Sequence, residues 1–234
     1  VTAPLDPISA RALALAQAAL SRPGAPPALP GRLLVVDVER QSATWLEAGH
    51  AVAAWSVSTA LAGIGGEENS FKTPPGWHRV DARIGEDAKP GTVFVSREPT
   101  GETWRGERCD DDLILTRILT LDGLEDGVNR GPGRDSRERY IYIHGTNRED
   151  LTGRATSHGC VRLANTDVCA LFTHMREGDL VVIAAAEDRA IPDPGGAGRF
   201  HYAGLGSGDD HQVSFAHMGE QRANVRVGKA HTAM

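Results

Sequence analysis

The chain has 234 residues, 40% of them hydrophobic and 24% charged, which suits one good-sized globular domain with appendages. Its net charge of −6 and the lack of a Lys/Arg cluster give no basis for nucleic-acid binding. No apolar run approaches the roughly 18–20 residues of an integral membrane span.

In chain order, Ile8, Leu13, Leu15 and Leu20 among many alanines predict a surface helix over 6–21, with Asp6 near its start. RPGAPPALPG (22–31) breaks regular structure and reads as a linker. From Arg32 the texture changes to short β-rich runs: LLVVDV, ATWLEAG, AVAAWSVSTA, WHRVDARIG, TVFVSR, LILTRILTLDG and RYIYIHG. Gly, Pro, Asn and Asp separate them, which predicts a mainly β fold, a sandwich or barrel-like sheet. Arg117 falls mid-strand among leucines and requires a partner, or else it lines a groove. Two long loops, 61–76 and 122–138, are rich in Gly and acidic residues.

The run YIYIH alternates, so Tyr140, Tyr142 and His144 are expected on one strand face. Twelve residues separate His144 from the tight turn Ser157-His158-Gly159-Cys160. A cysteine and a histidine from separate segments are the sequence form of a thiol nucleophile with its base. His144 is mounted on a strand, whereas His158 lies two residues from the thiol, so His144 is the expected base for Cys160. The amides of His158, Gly159 and Cys160 are the expected oxyanion donors, with Ser157 bonding within the turn. Arg162 presents a fork suited to a substrate carboxylate, or alternatively braces the loop through a salt bridge. After the turn, Val168, Leu171, Phe172 and Met175 form one apolar stripe, predicting a helix capped by Asn165 or Thr166. EGDLVVIA (177–184) reads as a buried closing strand, and the Gly-rich remainder as a tail. The tail's His201, His211, His217 and His231 lack metal-ligand spacing. Of three cysteines, Cys109 and Cys169 are either a possible disulfide or two free thiols.

HGTN, the spacer and SHGCVRLAN together resemble the signature of the YkuD-type L,D-transpeptidases, bacterial cell-wall enzymes. The resemblance implies three parts: an N-terminal helix and Pro-rich linker (1–30), a catalytic domain (31–187) and a C-terminal tail (188–234). It implies Cys160 as nucleophile, His144 as base, and the carbonyl of Gly145 orienting the His144 ring. Ser157, His158 and Gly159 would support the oxyanion, and Arg162, Tyr142 and Asn165 would bind substrate. The partners implied are peptidoglycan stem peptides and carbapenem-type inhibitors, with no cofactor and no metal. The location implied is periplasmic or cell-envelope, although no export signal is visible in this sequence. Three other readings use the same residues. They are an L,D-carboxypeptidase, a metal module built on His144, His158 and Cys160, and a catalytically inactive wall-binding domain.

Overall fold

A computed structural model describes residues 7–185. The tail, its four histidines and Asp6 lie outside the described residues. As expected from the alternating runs, the fold is mainly β with a helix following the cysteine turn. The strands are β1 (Arg32–Asp37), β2 (Ser42–Glu47), β3 (His50–Ser56), β4 (Gly76–Ile84), β5 (Thr92–Val95), β6 (Glu98–Thr103), β7 (Ile114–Gly123), β8 (Tyr142–Gly145), β9 (Val161–Leu163) and β10 (Leu180–Ala184). The helices are α1 (Pro7–Ala19) and α2 (Asn165–His174).

All strands hydrogen-bond into one ten-stranded sheet, in the order β3-β2-β1-β10-β4-β7-β5-β6, with β8 on β7 and β9 on β8. Two pairings are parallel, β1 with β10 and β8 with β9. β1 is buried on both faces, which explains why LLVV carries no polar alternation. Leu34 and Val36 join the larger core with Val181, Ile183 and the apolar stripe of α2. Leu33 and Val35 join a second core on the opposite face, under α1. The expected stripe of α2 is wholly buried: Val168, Leu171, Phe172 and Met175. Its start differs from expectation. The N-cap is Ala164, without a side-chain bond, and Glu149 from a preceding 3-10 turn (Glu149–Leu151) accepts the Asn165 N–H instead. A carboxylate there satisfies an orphan donor and suits the positive end of the helix.

The N-terminal region is more firmly held than a surface helix and linker would be. α1 buries Ala12, Leu15, Ala16 and Ala19 on the sheet, and it belongs to the same compact unit as the strands. Residues 22–31 are irregular, as the prolines dictate, yet Ala25 and Leu29 pack on this core. Arg22 forms a buried ion pair with Glu125 at 2.9 Å. The same carboxylate accepts the Trp77 N–H at 2.7 Å, and Glu125 N–H donates to Asn129 at 2.9 Å. Glu125 therefore joins α1's trailing segment, β4 and loop 122–138. Arg117 is also spoken for: it donates to the Ala88 and Thr116 carbonyls and lies over the Phe172 ring.

Removing one partner of a buried ion pair leaves the other charge uncompensated, at a cost of about 3–5 kcal/mol. Glu125→Ala should lower the urea midpoint by that much free energy, and more than Asp122→Ala, whose partner Arg79 is half-exposed. Equal midpoints for the two variants would contradict the role given to Glu125.

Candidate active site

The parallel β8–β9 ladder sets Ile143 opposite Val161 and His144 opposite Arg162. Because faces alternate, Ile143 and Val161 enter the core under α2. Tyr142 and Cys160 turn to the other side, where they pack with Phe94 and Ile118. His144 and Arg162 follow them by two residues and share that side. Tyr140 does not extend the alternation as expected. It takes a left-handed φ of +56° before the strand begins and leaves its ring exposed.

The turn that carries Cys160 is closed by a buried serine. Ser157 Oγ donates to the Cys160 carbonyl at 2.6 Å and accepts the Gly159 N–H at 3.2 Å. Gly159 has φ +131°, and a Cβ there would lie 3.1 Å from Ile141 Cδ1 and 3.4 Å from the Lys72 carbonyl oxygen. Backbone geometry and close approach both call for glycine. The bond to Ser157 corrects one expectation, since the Gly159 amide is taken and only those of His158 and Cys160 remain of the three oxyanion donors.

His144 is buried, and its Nδ1–H donates to the Gly145 carbonyl at 2.8 Å. A carbonyl can only accept, so the proton is on Nδ1 and the lone pair on Nε2. Burial pushes the His144 pKa down and keeps the ring neutral. Gly145 is needed for another reason: a Cβ would sit 2.5 Å from Asn165 Oδ1 and 2.8 Å from the Leu115 carbonyl oxygen.

The thiol makes its hydrogen bonds to main chain. Sγ accepts the Tyr142 N–H at 3.3 Å and donates to the Tyr140 carbonyl at 3.4 Å. Among the described residues it makes no hydrogen bond to His144. The Cys160 pKa is pushed up to about 11, chiefly by burial and further by Asp112. The Tyr142 N–H, Arg162 and Arg139 pull it the other way without prevailing. The resting group is a neutral thiol held by main chain.

The three residues expected to contact substrate each have partners within the protein. Arg162 is buried, with Nη1 on Asp112 at 2.7 Å and Nη2 on Thr156 and Ser58 at 2.8 and 3.3 Å. Nη1 and Nη2 are held by the protein, the pattern of the bracing alternative, while the buried Nε has no partner among the described residues. Asn165 donates to the Thr146 carbonyl and to Glu149, and accepts from Thr116; it ties α2 to the back of Gly145. The Tyr142 ring is buried and its hydroxyl accepts from Arg97 Nε at 2.8 Å, so only its main-chain N–H reaches the sulfur. Burial, opposed by Arg97, pushes its pKa up to about 12. His158 stands on the exposed rim, 3.5 Å from Asp112 and edge-on to Phe71.

Asp112, Arg97 and Arg139 escaped the sequence reading, because their partners lie tens of residues away. Arg139 donates to the Gly66 and Lys72 carbonyls at 3.1 and 2.8 Å. With the Glu68-to-Gly133 main-chain bond it ties loops 61–76 and 122–138 together. All three cysteines are free, so Cys109 and Cys169 are not paired. Among the described residues no three His, Cys, Asp or Glu side chains converge on a possible metal position.

Residues 31–183 match the family model described as the L,D-transpeptidase catalytic domain, YkuD. A 52-residue stretch is 46% identical to YqjB of Bacillus subtilis (strain 168), covering 22% of this chain and 28% of that protein. Among solved structures, the chain is similar to an L,D-transpeptidase from Mycobacterium smegmatis, with TM-score 0.43, 15% identity, and coverage of 66% of this chain and 59% of that one. It is also similar to L,D-transpeptidase 3 from Mycobacterium tuberculosis in complex with a faropenem-derived adduct, with TM-score 0.42, 15% identity, and 66% and 60% coverage. The chain thus spans just over a quarter of the length of its curated relative.

With a pKa near 11, roughly one Cys160 in ten thousand is ionised at pH 7. Because the thiolate is the reactive form, alkylation of Cys160 by iodoacetamide should climb about tenfold per pH unit from 7 to 10. Mass spectrometry of the Cys160 peptide would follow it. A plateau already reached by pH 8 would show a thiolate that these surroundings do not support.

Proposed function

This chain belongs to the YkuD family of L,D-transpeptidase catalytic domains, and on that premise we propose that it transfers the acyl group of a peptidoglycan stem peptide through a thioester on Cys160. The observation that supports this best is the shared strand face. Cys160, on a serine-closed turn that leads directly into β9, and His144, on the adjacent parallel strand β8 with its Nδ1 locked and its Nε2 lone pair free, turn to the same side.

In the proposed cycle the thiol leaves the Tyr140 carbonyl by rotating about its Cα–Cβ bond toward Nε2. His144 takes the proton as Sγ attacks the scissile carbonyl of the donor, between the diamino acid and the terminal D-residue. Proton removal concerted with attack avoids populating a partly buried free thiolate, which the raised pKa makes costly. The oxyanion accepts from the His158 and Cys160 amides. Collapse breaks the C–N bond, and the leaving amine takes the proton from His144. An amine from a second stem then attacks the thioester, loses its proton to Nε2 and restores the thiol. Gly145 holds the ring throughout, and Ser157, Arg162 and Asp112 hold the turn. The cycle needs no cofactor, and its substrate places it at the cell envelope.

Water at about 55 M competes for the thioester, so an amine acceptor wins only where the site positions it. The tied loops 61–76 and 122–138 offer walls for such a cleft. Incubation with a disaccharide-tetrapeptide should give dimer lacking one D-Ala, read by mass, and Cys160→Ala should give none. Tripeptide monomer without dimer at any substrate concentration would assign the chain to hydrolysis instead.

The same thiol should open a carbapenem, whose strained ring presents an acyl carbon. Intact mass should show one adduct on the native chain and none on Cys160→Ala, with Cys109→Ala and Cys169→Ala labelled as the native chain. An unmodified native protein after prolonged incubation would count against a competent nucleophile.

A further inference from the structure

Beside Arg162 and Arg139, whose charges act on Cys160, a third cation borders the two tyrosines that hold the sulfur. β5 and β6 are joined by the two-residue turn Ser96-Arg97, since Val95 pairs with Glu98. Both turn residues are left-handed, with φ of +50° and +78°. This is the geometry of a type I′ hairpin, whose second position ordinarily favours glycine. Here it holds an arginine. The hairpin is rooted in the sheet by Val93 opposite Leu115 on β7, so Arg97 is carried on a supported element.

The turn aims Arg97 at the residues around the sulfur. Its Nε donates to the Tyr142 hydroxyl at 2.8 Å, and its Nη2 to the Arg137 carbonyl at 3.1 Å. Its guanidinium carbon is 5.0 Å from the Tyr140 ring centroid and 5.4 Å from that of Tyr142. These are the two tyrosines whose main chains contact Sγ. Arg137 and Arg162 are paired with Asp81 and Asp112. Arg97 has no carboxylate within ion-pair distance among the described residues. It is thus an oriented, stacked and half-buried guanidinium whose Nε and Nη2 are held by Tyr142 and Arg137, which turns Nη1 and the uncompensated charge to an incoming anion.

We propose that Arg97 binds the terminal carboxylate of the acyl-donor peptide, the carboxylate of the D-residue that leaves. The carboxyl carbon of that residue lies about 4 Å beyond the scissile carbonyl carbon, one residue's span. In a donor whose leaving residue runs toward the Tyr140–Tyr142 side, a carbonyl at Sγ brings that carboxylate toward Arg97. The two rings hold the guanidinium plane, so little side-chain freedom is lost when the anion arrives. The preference would select donors with a free carboxylate at this position over blocked or extended ones. This inference rests on the acyl-transfer reading above.

The test compares disaccharide-tetrapeptide ending in a free carboxylate with its terminal carboxamide, on the full chain, through kcat and KM for thioester-dependent product formation. The native protein should prefer the free acid by about tenfold or more in kcat/KM, mostly through KM. Arg97→Gln should bring the acid down to the level of the amide and leave the amide within about twofold. Arg97→Lys should restore part of the preference. If acid and amide fall equally in Arg97→Gln, the residue only supports Tyr142, and the assignment fails. It fails likewise if the native protein shows no preference or if the preference survives both substitutions. A native protein that turns over neither peptide, although it folds, would sink the acyl-transfer reading, and this proposal with it.

Discussion

The parallel ladder between β8 and β9 is three pairs long, Ile143 to Gly145 against Val161 to Leu163, and the site takes its geometry from it. A one-residue slip would send Cys160 and His144 into the core and bring Ile143 and Val161 out. So short a ladder cannot hold its own register, and the surroundings do so. Ile143, Val161 and Leu163 are fully buried under α2. Asn165, the first residue of α2, presses on Gly145 and bonds to Thr116, at the irregularity in β7 opposite β8. From below, Arg162 clasps Ser58, Thr156 and Asp112, which fixes the strand that leaves the cysteine turn. Groups that a motif-based reading would send to substrate are thus the clamps that hold the nucleophile's strand.

What the sequence made legible is what the chain decides locally. The serine-closed turn, the glycine it needs and the carbonyl that orients His144 all involve neighbours within three residues. The apolar stripe of α2 is equally local. What stayed illegible depends on partners far along the chain. Asp112 is 50 residues from Arg162, and Arg22 is 103 from Glu125. An arginine two places after a cysteine looks the same whether its fork meets substrate or a buried aspartate. The Pro-rich stretch 22–31 looks like a linker because its composition forbids regular structure. Composition says nothing of a buried ion pair at its start. Tyr140 shows the same limit, since alternation cannot reveal that one residue before a strand has turned left-handed.

Burial gives the resting site its electrical character. Low polarity disfavours the charged form of both partners, raising the thiol pKa and lowering that of the imidazole. Each shift opposes a preformed thiolate–imidazolium pair, and the Tyr140 and Tyr142 main chains occupy the sulfur in the meantime. A neutral thiol is also slower to oxidise, because oxidation follows thiolate character. In the proposed cycle, reactivity is therefore tied to the moment a carbonyl arrives to accept the electron pair.

The bond pattern of Arg139 bears on the cleft walls in another way. A latch made from opposed carboxylates and amines loosens as acid neutralises one member or as salt screens both. The guanidinium of Arg139 instead grips the Gly66 and Lys72 peptide carbonyls, groups with no proton to gain in the physiological range. The Arg139 grip is thereby largely uncoupled from the acidity and ionic strength of the surroundings, unlike the Arg134–Glu67 pair that joins the same loops at 3.2 Å. That is a mechanical tolerance built from main chain.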